Sequence, residues 1–245
     1  HIGVAKDVCA FLNNIEHTHK YQVKLPVINT LPKADTQLPI SIRIENTDAC
    51  PRYSGLTITG ISVAPSPNWL KERLTAIGVR SINNIVDITN FILHETGQPL
   101  HAFDTNAVKG NAIVVKNLPQ DTLFTTLDGK ERKLDATDLM ICNGAGEGMC
   151  IAGVFGGLHS GVTDTTTSIF LESAFFSPGG IRTTSFRHGL RTDAATRFEK
   201  GVDISNVVFA LQRAAELICE LGGGKVASEI ADVYPAVKKK TQVTV

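Results

Sequence analysis

Between residues 111 and 176 the chain breaks into apolar runs too short to be helices of ordinary length. AIVVK, DLMIC, CIAGVFGG and SIFLESAFF are parted by Asp-Gly and glycine-rich turns, so each reads as a strand that needs a pairing partner. Two more alternating stretches, ISIRIEN (40–46) and TITGISV (57–63), extend the supply of strands. Helical signals interrupt them. Pro67-Asn68 leads WLKERLTAIG, which Gly78 stops, and residues 82–95 place Ile82, Ile85, Val86, Thr89, Ile92 and Leu93 on one face. Ser177-Pro178 opens a short helix, and residues 203–222 form a long amphipathic one ending in Gly222, Gly223 and Gly224. Strands and helices mix without a regular strand–helix–strand rhythm, which argues for an α+β fold over a doubly wound sheet.

The ends read differently from the middle. Residues 1–15 put Val4, Val8, Phe11, Leu12 and Ile15 on one helical stripe, and residues 17–39 lose that pattern around three prolines. We therefore expect 1–39 to be the tail of a preceding module plus a linker, 40–235 to be the central domain, and 236–245 to begin a following module. At 245 residues and 42% hydrophobic, the chain can bury one large core or two smaller ones. Its 24 basic and 24 acidic residues balance, so any nucleic-acid contact has to come from a local patch. No run of eighteen apolar residues occurs, which argues against a membrane span. Cys9, Cys50, Cys142, Cys150 and Cys219 are odd in number and form no CxxC pair, a pattern of reduced thiols in a cytoplasmic protein rather than of disulfides or a metal site.

Four stretches could carry chemistry. In GQPLHAFD (97–104), Gly97 closes the helix bearing Asp87, Thr89 and Asn90, and Pro99 stiffens the exit toward His101. His101 either hydrogen-bonds within a loop or acts as a positioned base or donor, with Asp104 three residues on. Asp87 reads as a cap or an ion-pair partner. In AGVFGGLHSGV (152–162), Gly153, Gly156 and Gly157 permit positive φ and a close backbone approach. That stretch is either a tight turn or a set of N–H groups for a carboxylate, carbonyl or phosphate. His159 reads as a surface residue. Glu172, within SIFLESAFF, lies either on a solvent face or in a pocket, where it accepts from a ligand hydroxyl or pairs with an arginine. The run FRHGLRTDAATRFEKGVD (186–203) packs seven formal charges into eighteen residues. It offers Arg187, Arg191 and Arg197 for that pairing or for RNA phosphates, with Thr192 or Asp193 as a helix N-cap. No GxSxG elbow, HExxH helix or Cys–His pair marks a covalent nucleophile or a metal site. Any chemistry would be attack by water steered by hydrogen bonds.

VDITNF, GQPLHAFD, AGVFGGLHSGV, FLESAFFSP and RHGLRTDAATRFEKGVD occur in this order over residues 86–203. Together they resemble the tRNA-editing domain of bacterial phenylalanyl-tRNA synthetase β subunits, over roughly residues 40–235. Ala152 stands where the family leads one to expect another glycine, and Phe91 where tyrosine is common. The resemblance implies two intertwined β-rich lobes of mixed, barrel-like sheets flanked by helices, with a pocket between them. It implies post-transfer editing, the hydrolysis of tyrosine mis-attached to the tRNA for phenylalanine. Glu172 would bind the phenol hydroxyl, and His101 with Pro99 would line the pocket near the amino acid or its ester. Either His101 or the terminal ribose hydroxyl would activate the water. Thr89 and Asn90 would place substrate or water, Gly153 and Gly156 would form the wall, and Thr192 and Ala194 the floor. Arg187, Arg191 and Arg197 would touch the tRNA. ATP and Mg would belong to the parent synthetase and no cofactor to this stretch. The implied partners are the tRNA and the α subunit of a heterotetramer. A non-catalytic tRNA-binding or subunit-scaffolding module is the alternative.

The implied task is physically sensible. An apolar pocket excludes an added hydroxyl only about a hundredfold, whereas a site built to hydrogen-bond that hydroxyl rejects the analogue lacking it by about 10⁴.

Overall fold

The computed structural model describes residues 1–29 and 37–237; the closing KKKTQVTV and residues 30–36 of the expected linker lie outside them. In chain order, helix α1 (Ile2–Ile15) precedes strands β1 (Ser41–Ile44) and β2 (Arg52–Thr59), then helices α2 (Asn68–Ala76) and α3 (Asn84–Thr96). Strands β3 (Leu100–Asp104), β4 (Ala112–Asn117), β5 (Leu123–Thr125) and β6 (Glu131–Lys133) follow. Next come β7 (Leu139–Asn143), β8 (Gly148–Ile151), β9 (Phe155–Gly156) and β10 (Ser168–Phe175). Helices α4 (Pro178–His188), α5 (Asp193–Lys200) and α6 (Val207–Gly222) then lead to the short strands β11 (Lys225–Val226) and β12 (Ala231–Val233).

Two sheets dominate this α+β fold. The first has spatial order β1-β4-β7-β8-β9, and the second β11-β2-β10-β3 with β12 also on β2. The chain passes between them three times, at β1 to β2, β3 to β4 and β9 to β10, so the two layers are intertwined. Neither sheet closes into a barrel among the described residues. The pairing of β1 with β4 is parallel, while β4, β7, β8 and β9 run antiparallel.

Strand β10 sits between β2 and β3, and both of its faces are covered. Ile169 and Leu171 pack with Leu56, Ile88, Leu211 and Ile218 in a core against α3 and α6. Phe170 and Ala174 point the other way, into a core shared with Tyr53, Phe103, Ile141 and Ile151. Each such buried side chain contributes on the order of 1.5–3 kcal/mol, so this two-sided strand anchors both cores. Glu172 lies on the second of these faces by the period of two. A carboxyl at this position cannot face bulk water, and the solvent-face reading of Glu172 fails for that reason.

Local signals explain most element boundaries. Asn83 caps α3 by accepting from the Ile85 and Val86 amides, and Gly97 ends it with a φ of 85°. The strand expected at 57–63 instead runs Arg52–Thr59, because Gly60 turns the chain at a φ of 69°. The helix expected from 203 begins at Val207, since Asp203 first accepts from the Ser205 amide in a short 3-10 turn. CIAGVFGG is two strands, β8 and β9, joined through Gly153 at a φ of 67°. In α1 the anticipated stripe exists but faces outward: Val4, Val8, Phe11 and Ile15 are exposed, and no residue of the helix is buried. No helix among the described residues is long and apolar enough to cross a membrane.

Candidate functional site

A cavity of about 520 Å³ opens where the two sheets meet the N-terminal ends of α3 and α5. Thr89, Asn90, Pro99, His101, Gly153, Gly156, Glu172, Thr192 and Ala194 all line it. The mouth carries the exposed side chains of Ile82, Leu127 and Asp193, whereas Cys150, Glu172 and Phe198 are buried at its floor.

Glu172 is the chemical centre of that floor. In the sheet it stands opposite His101 on β3 and Gly55 on β2. Burial pushes its carboxyl up to about 8, so the acid holds its proton at neutral pH. The Tyr53 hydroxyl is near enough to pull that value back down, yet Tyr53 Oη and Glu172 Oε2 do not meet hydrogen-bond geometry. His101 Nε2 is likewise buried without a partner, and burial lowers the imidazole to about 4. Two neutral, unsatisfied polar groups thus stand side by side in an apolar wall, an arrangement that costs stability unless a ligand completes it.

The neighbouring residues fix this pair. His101 packs edge-on against Phe103 with ring centroids 4.4 Å apart. A Cβ at Gly156 would lie 3.4 Å from His101 Cε1, in van der Waals contact with the imidazole, which places this glycine directly against the ring. Of the three glycines expected to use positive φ, only Gly153 does so. Its missing Cβ would strike Phe176 and Ile181, so that glycine answers to the core as much as to the cavity. Gly157 is needed for close approach, since a Cβ would come within 2.6 Å of the Met149 carbonyl oxygen. The amides of Ala152, Val154 and Gly157 donate to Leu139, Ile151 and Met149, so these three N–H groups of the loop are already engaged.

Other expected residues have divided loyalties. Thr192 caps α5 by accepting from the Ala195 amide and donates to the Val154 carbonyl, so its hydroxyl is occupied with holding the helix against the glycine turn. The Thr89 hydroxyl donates to Val86 O within its own helix. Asn90 has no side-chain hydrogen bond among the described residues, which leaves its amide available to the cavity. Asp87 is a buried hub that accepts from Ser66, Ser81 and the Ile82 amide, tying the start of α3 to the preceding loop rather than forming an ion pair. Asp104 caps the turn after β3 through the Asn106 amide and also accepts from Thr166. It has no hydrogen bond to His101.

None of the arginines pairs with Glu172, correcting that expectation. Arg187 binds Asp138 and Asp135, and Arg197 binds Asp193 at 2.9 Å. Arg191 is exposed and lines a separate groove with Arg182, Phe186 and Lys200. The distances in sequence hid this outcome: Arg187 and Arg197 are taken up by aspartates, and Arg191 is exposed.

Sequence reasoning missed Tyr53, Cys150 and Gln98. Tyr53 escaped notice because β2 was expected to start four residues later. Gln98 is fully buried and donates to the Pro99 and Ala174 carbonyls, which pins the α3–β3 corner to the end of β10. A buried amide next to a proline corner has no distinctive sequence pattern.

The B3/4 domain family matches residues 49–223. A phenylalanine–tRNA ligase β subunit of Bacteroides fragilis is 50% identical over 236 residues, covering 96% of this chain and 28% of that relative. Its counterpart in Porphyromonas gingivalis is 53% identical over 234 residues with the same coverage of both chains. The chain therefore spans little more than a quarter of the length of these curated relatives. A crystal structure of an N-terminal fragment of the phenylalanyl-tRNA synthetase β subunit from Pyrococcus horikoshii shares the fold. It aligns with a TM-score of 0.52 at 14% identity, over 80% of this chain and 53% of that one. With its match covering most strands of both sheets and all the residues of the cavity, the chain belongs to the B3/4 domain family, and the curated relatives named above are β subunits of phenylalanine–tRNA ligases.

Proposed function

We propose that the domain works within a phenylalanine–tRNA ligase as a proofreading hydrolase, removing tyrosine wrongly esterified to the tRNA for phenylalanine. The observation that carries this reading is the buried, unsatisfied Glu172 carboxyl at the floor of the cavity, beside the neutral His101. A phenol hydroxyl can satisfy both groups, by donating to the carboxyl and accepting from the imidazole N–H. Phenylalanine would leave both unpaired and is spared for that reason.

The register refines the roles. Glu172 and His101 are direct cross-strand partners, so both belong at the hydroxyl end of the substrate. Tyrosine carries its hydroxyl and its ester at opposite ends of a rigid side chain. The ester then lies toward the mouth, near Asn90 on α3 and the start of α5, where Asn90 can orient an attacking water. With three amides of the glycine loop already engaged, Asn90 or the terminal ribose of the tRNA is the better placed donor for the oxyanion. Thr89, Pro99, Gly153, Gly156, Thr192 and Ala194 shape the cavity by packing. In this reading ATP and Mg serve the ligation reaction elsewhere in a cytoplasmic heterotetramer with the α subunit. The second reading, a tRNA-binding or scaffolding module, draws on the groove where Arg182, Arg191 and Lys200 surround the exposed Phe186.

The test uses Glu172→Gln in the complete ligase, comparing deacylation of tyrosyl- and phenylalanyl-tRNA. Glutamine can still accept from a phenol but cannot ionise to the stronger carboxylate acceptor, so the preference for tyrosine should fall by about 10- to 100-fold. A preference equal to wild type refutes hydroxyl reading by this carboxyl. A wild-type ligase that leaves tyrosyl-tRNA intact refutes the hydrolase reading and favours the scaffold.

A further inference from the structure

Behind the cavity floor, on the side away from any ligand, lies a second phenol that belongs to the protein. Tyr53 is completely buried, and its ring is held edge-on to Phe176 at 6.5 Å. In the β2–β10 ladder Tyr53 faces Ala174 and Gly55 faces Glu172, so Tyr53 and Glu172 are diagonal neighbours on one face of the sheet. Such diagonals are within reach of aromatic and long side chains. Gly55 has no side chain to intervene, and the ring of Phe170 fills the space above it: a Cβ at Gly55 would lie 2.1 Å from Phe170 Cζ. On β2, then, the hydroxyl diagonal to Glu172 and within its reach is that of Tyr53. That hydroxyl has no hydrogen-bond partner of its own. A buried tyrosine usually finds one, so an orphan donor beside an orphan acceptor calls for an explanation.

We propose that Tyr53 is a positioning residue for Glu172, donating its phenol O–H to the carboxyl from the core side and so turning the remaining carboxyl oxygen toward the cavity. This inference rests on the reading of Glu172 as the group that recognises the substrate hydroxyl. Tyr53 plays the part of a resident phenol: it interacts with the same carboxyl as the incoming tyrosine, from the opposite side. Its donated hydrogen bond favours the carboxylate, and the carboxylate is the stronger acceptor for a substrate phenol. The other titratable groups facing Glu172 are His101 from β3, Cys50 from the loop before β2, and Cys150 from β8. Burial holds both thiols well above their ordinary value and lowers the imidazole, so all three are neutral near pH 7. Tyr53 is thus left as the tuning group.

The experiment follows tyrosyl- and phenylalanyl-tRNA deacylation by the complete ligase across pH values on both sides of about 8. In wild type, kcat/KM for tyrosyl-tRNA should rise as Glu172 loses its proton. In Tyr53→Phe that rise should move to higher pH, and the preference for tyrosine at neutral pH should fall about tenfold. Replacing Tyr53 with a ring-fluorinated tyrosine, a stronger donor, should move the rise to lower pH; this arm retains the hydroxyl and the native packing if Tyr53→Phe folds poorly. Glu172→Gln should abolish the rise. If neither Tyr53 variant moves the profile while Glu172→Gln still loses tyrosine preference, the role of Tyr53 is overturned and that of Glu172 stands. If Glu172→Gln behaves as wild type, the underlying reading of the cavity fails instead.

Discussion

Asp138 and Glu172 are both buried carboxyl groups, and the fold treats them in opposite ways. Asp138, just before β7, accepts from Arg187, from Thr184 at 2.8 Å, and from the Asp135 amide at 2.9 Å, and pairs with His188 at 2.6 Å. Burial pushes its carboxyl up, but the bonds from His188, the Asp135 amide and Thr184 outweigh this and hold it below its ordinary value. Glu172 has no such set of donors, and burial raises it to about 8. The first carboxylate has every lone pair occupied by the protein and serves to lock α4 onto the first sheet. The second is left open toward a cavity. Burial alone therefore says little about purpose; the supply of donors separates a structural acid from a recognition site.

The largest expected effect falls on the satisfied acid. Asp138→Ala leaves Arg187 without its counter-charge and His188 without its hydrogen-bond partner, and should cost about 3–5 kcal/mol in denaturant unfolding. A loss no greater than that of a surface substitution would break the contrast.

A middle-sized effect lies in pH, and its sign differs between the two acids. Folded Glu172 keeps its proton up to about 8, whereas the unfolded chain releases it near the ordinary value of 4.5. Its contribution to stability is present below that ordinary value and is lost as pH climbs through this window. Unfolding free energy should fall, relative to Glu172→Gln, by about 1.4 kcal/mol for each pH unit. Asp138 is depressed, so its contribution is present at neutral pH and is lost as the solution is acidified below 3.8. Unfolding curves of Glu172→Gln and Asp138→Asn across both windows would show the two slopes; parallel slopes would remove the distinction.

The smallest effect tests how evenly Asp138 shares its donors. Thr184→Val keeps the shape and removes one hydrogen bond, so a loss of about 1 kcal/mol is expected. A loss several times larger would mean that the threonine, rather than the ion pairs, organises the cluster.

Much of this contrast was invisible along the chain. His188 and Arg187 lie about fifty residues from Asp138, and nothing in their spacing announces the pairing. The apparently reactive run at 186–203 proved to be partly internal scaffolding, with Arg187 and Arg197 engaged by neighbouring aspartates. Elements with strong local grammar were legible: the glycine ending α3, the Thr192 cap on α5, and the short strands separated by turns. Boundaries slipped where a glycine turned the chain earlier than periodicity suggested, as at Gly60. At the other end of the same strand, the start expected at Thr57 rather than Arg52 concealed Tyr53, since a residue thought to precede a strand could not be assigned a face.

The amino-acid sequence by itself determined the class of fold and many of its helices and strands, because capping, turn and alternation rules act over a few neighbours; the cavity-lining residues came from the resemblance to a known family. Only the tertiary structure decided which acid would be satisfied and which left bare. Hydrogen-bond partners and desolvation are set by elements remote in the chain: β2 and β3 flank Glu172 with an orphan phenol and a neutral imidazole, while α4 brings Arg187 and His188 to Asp138.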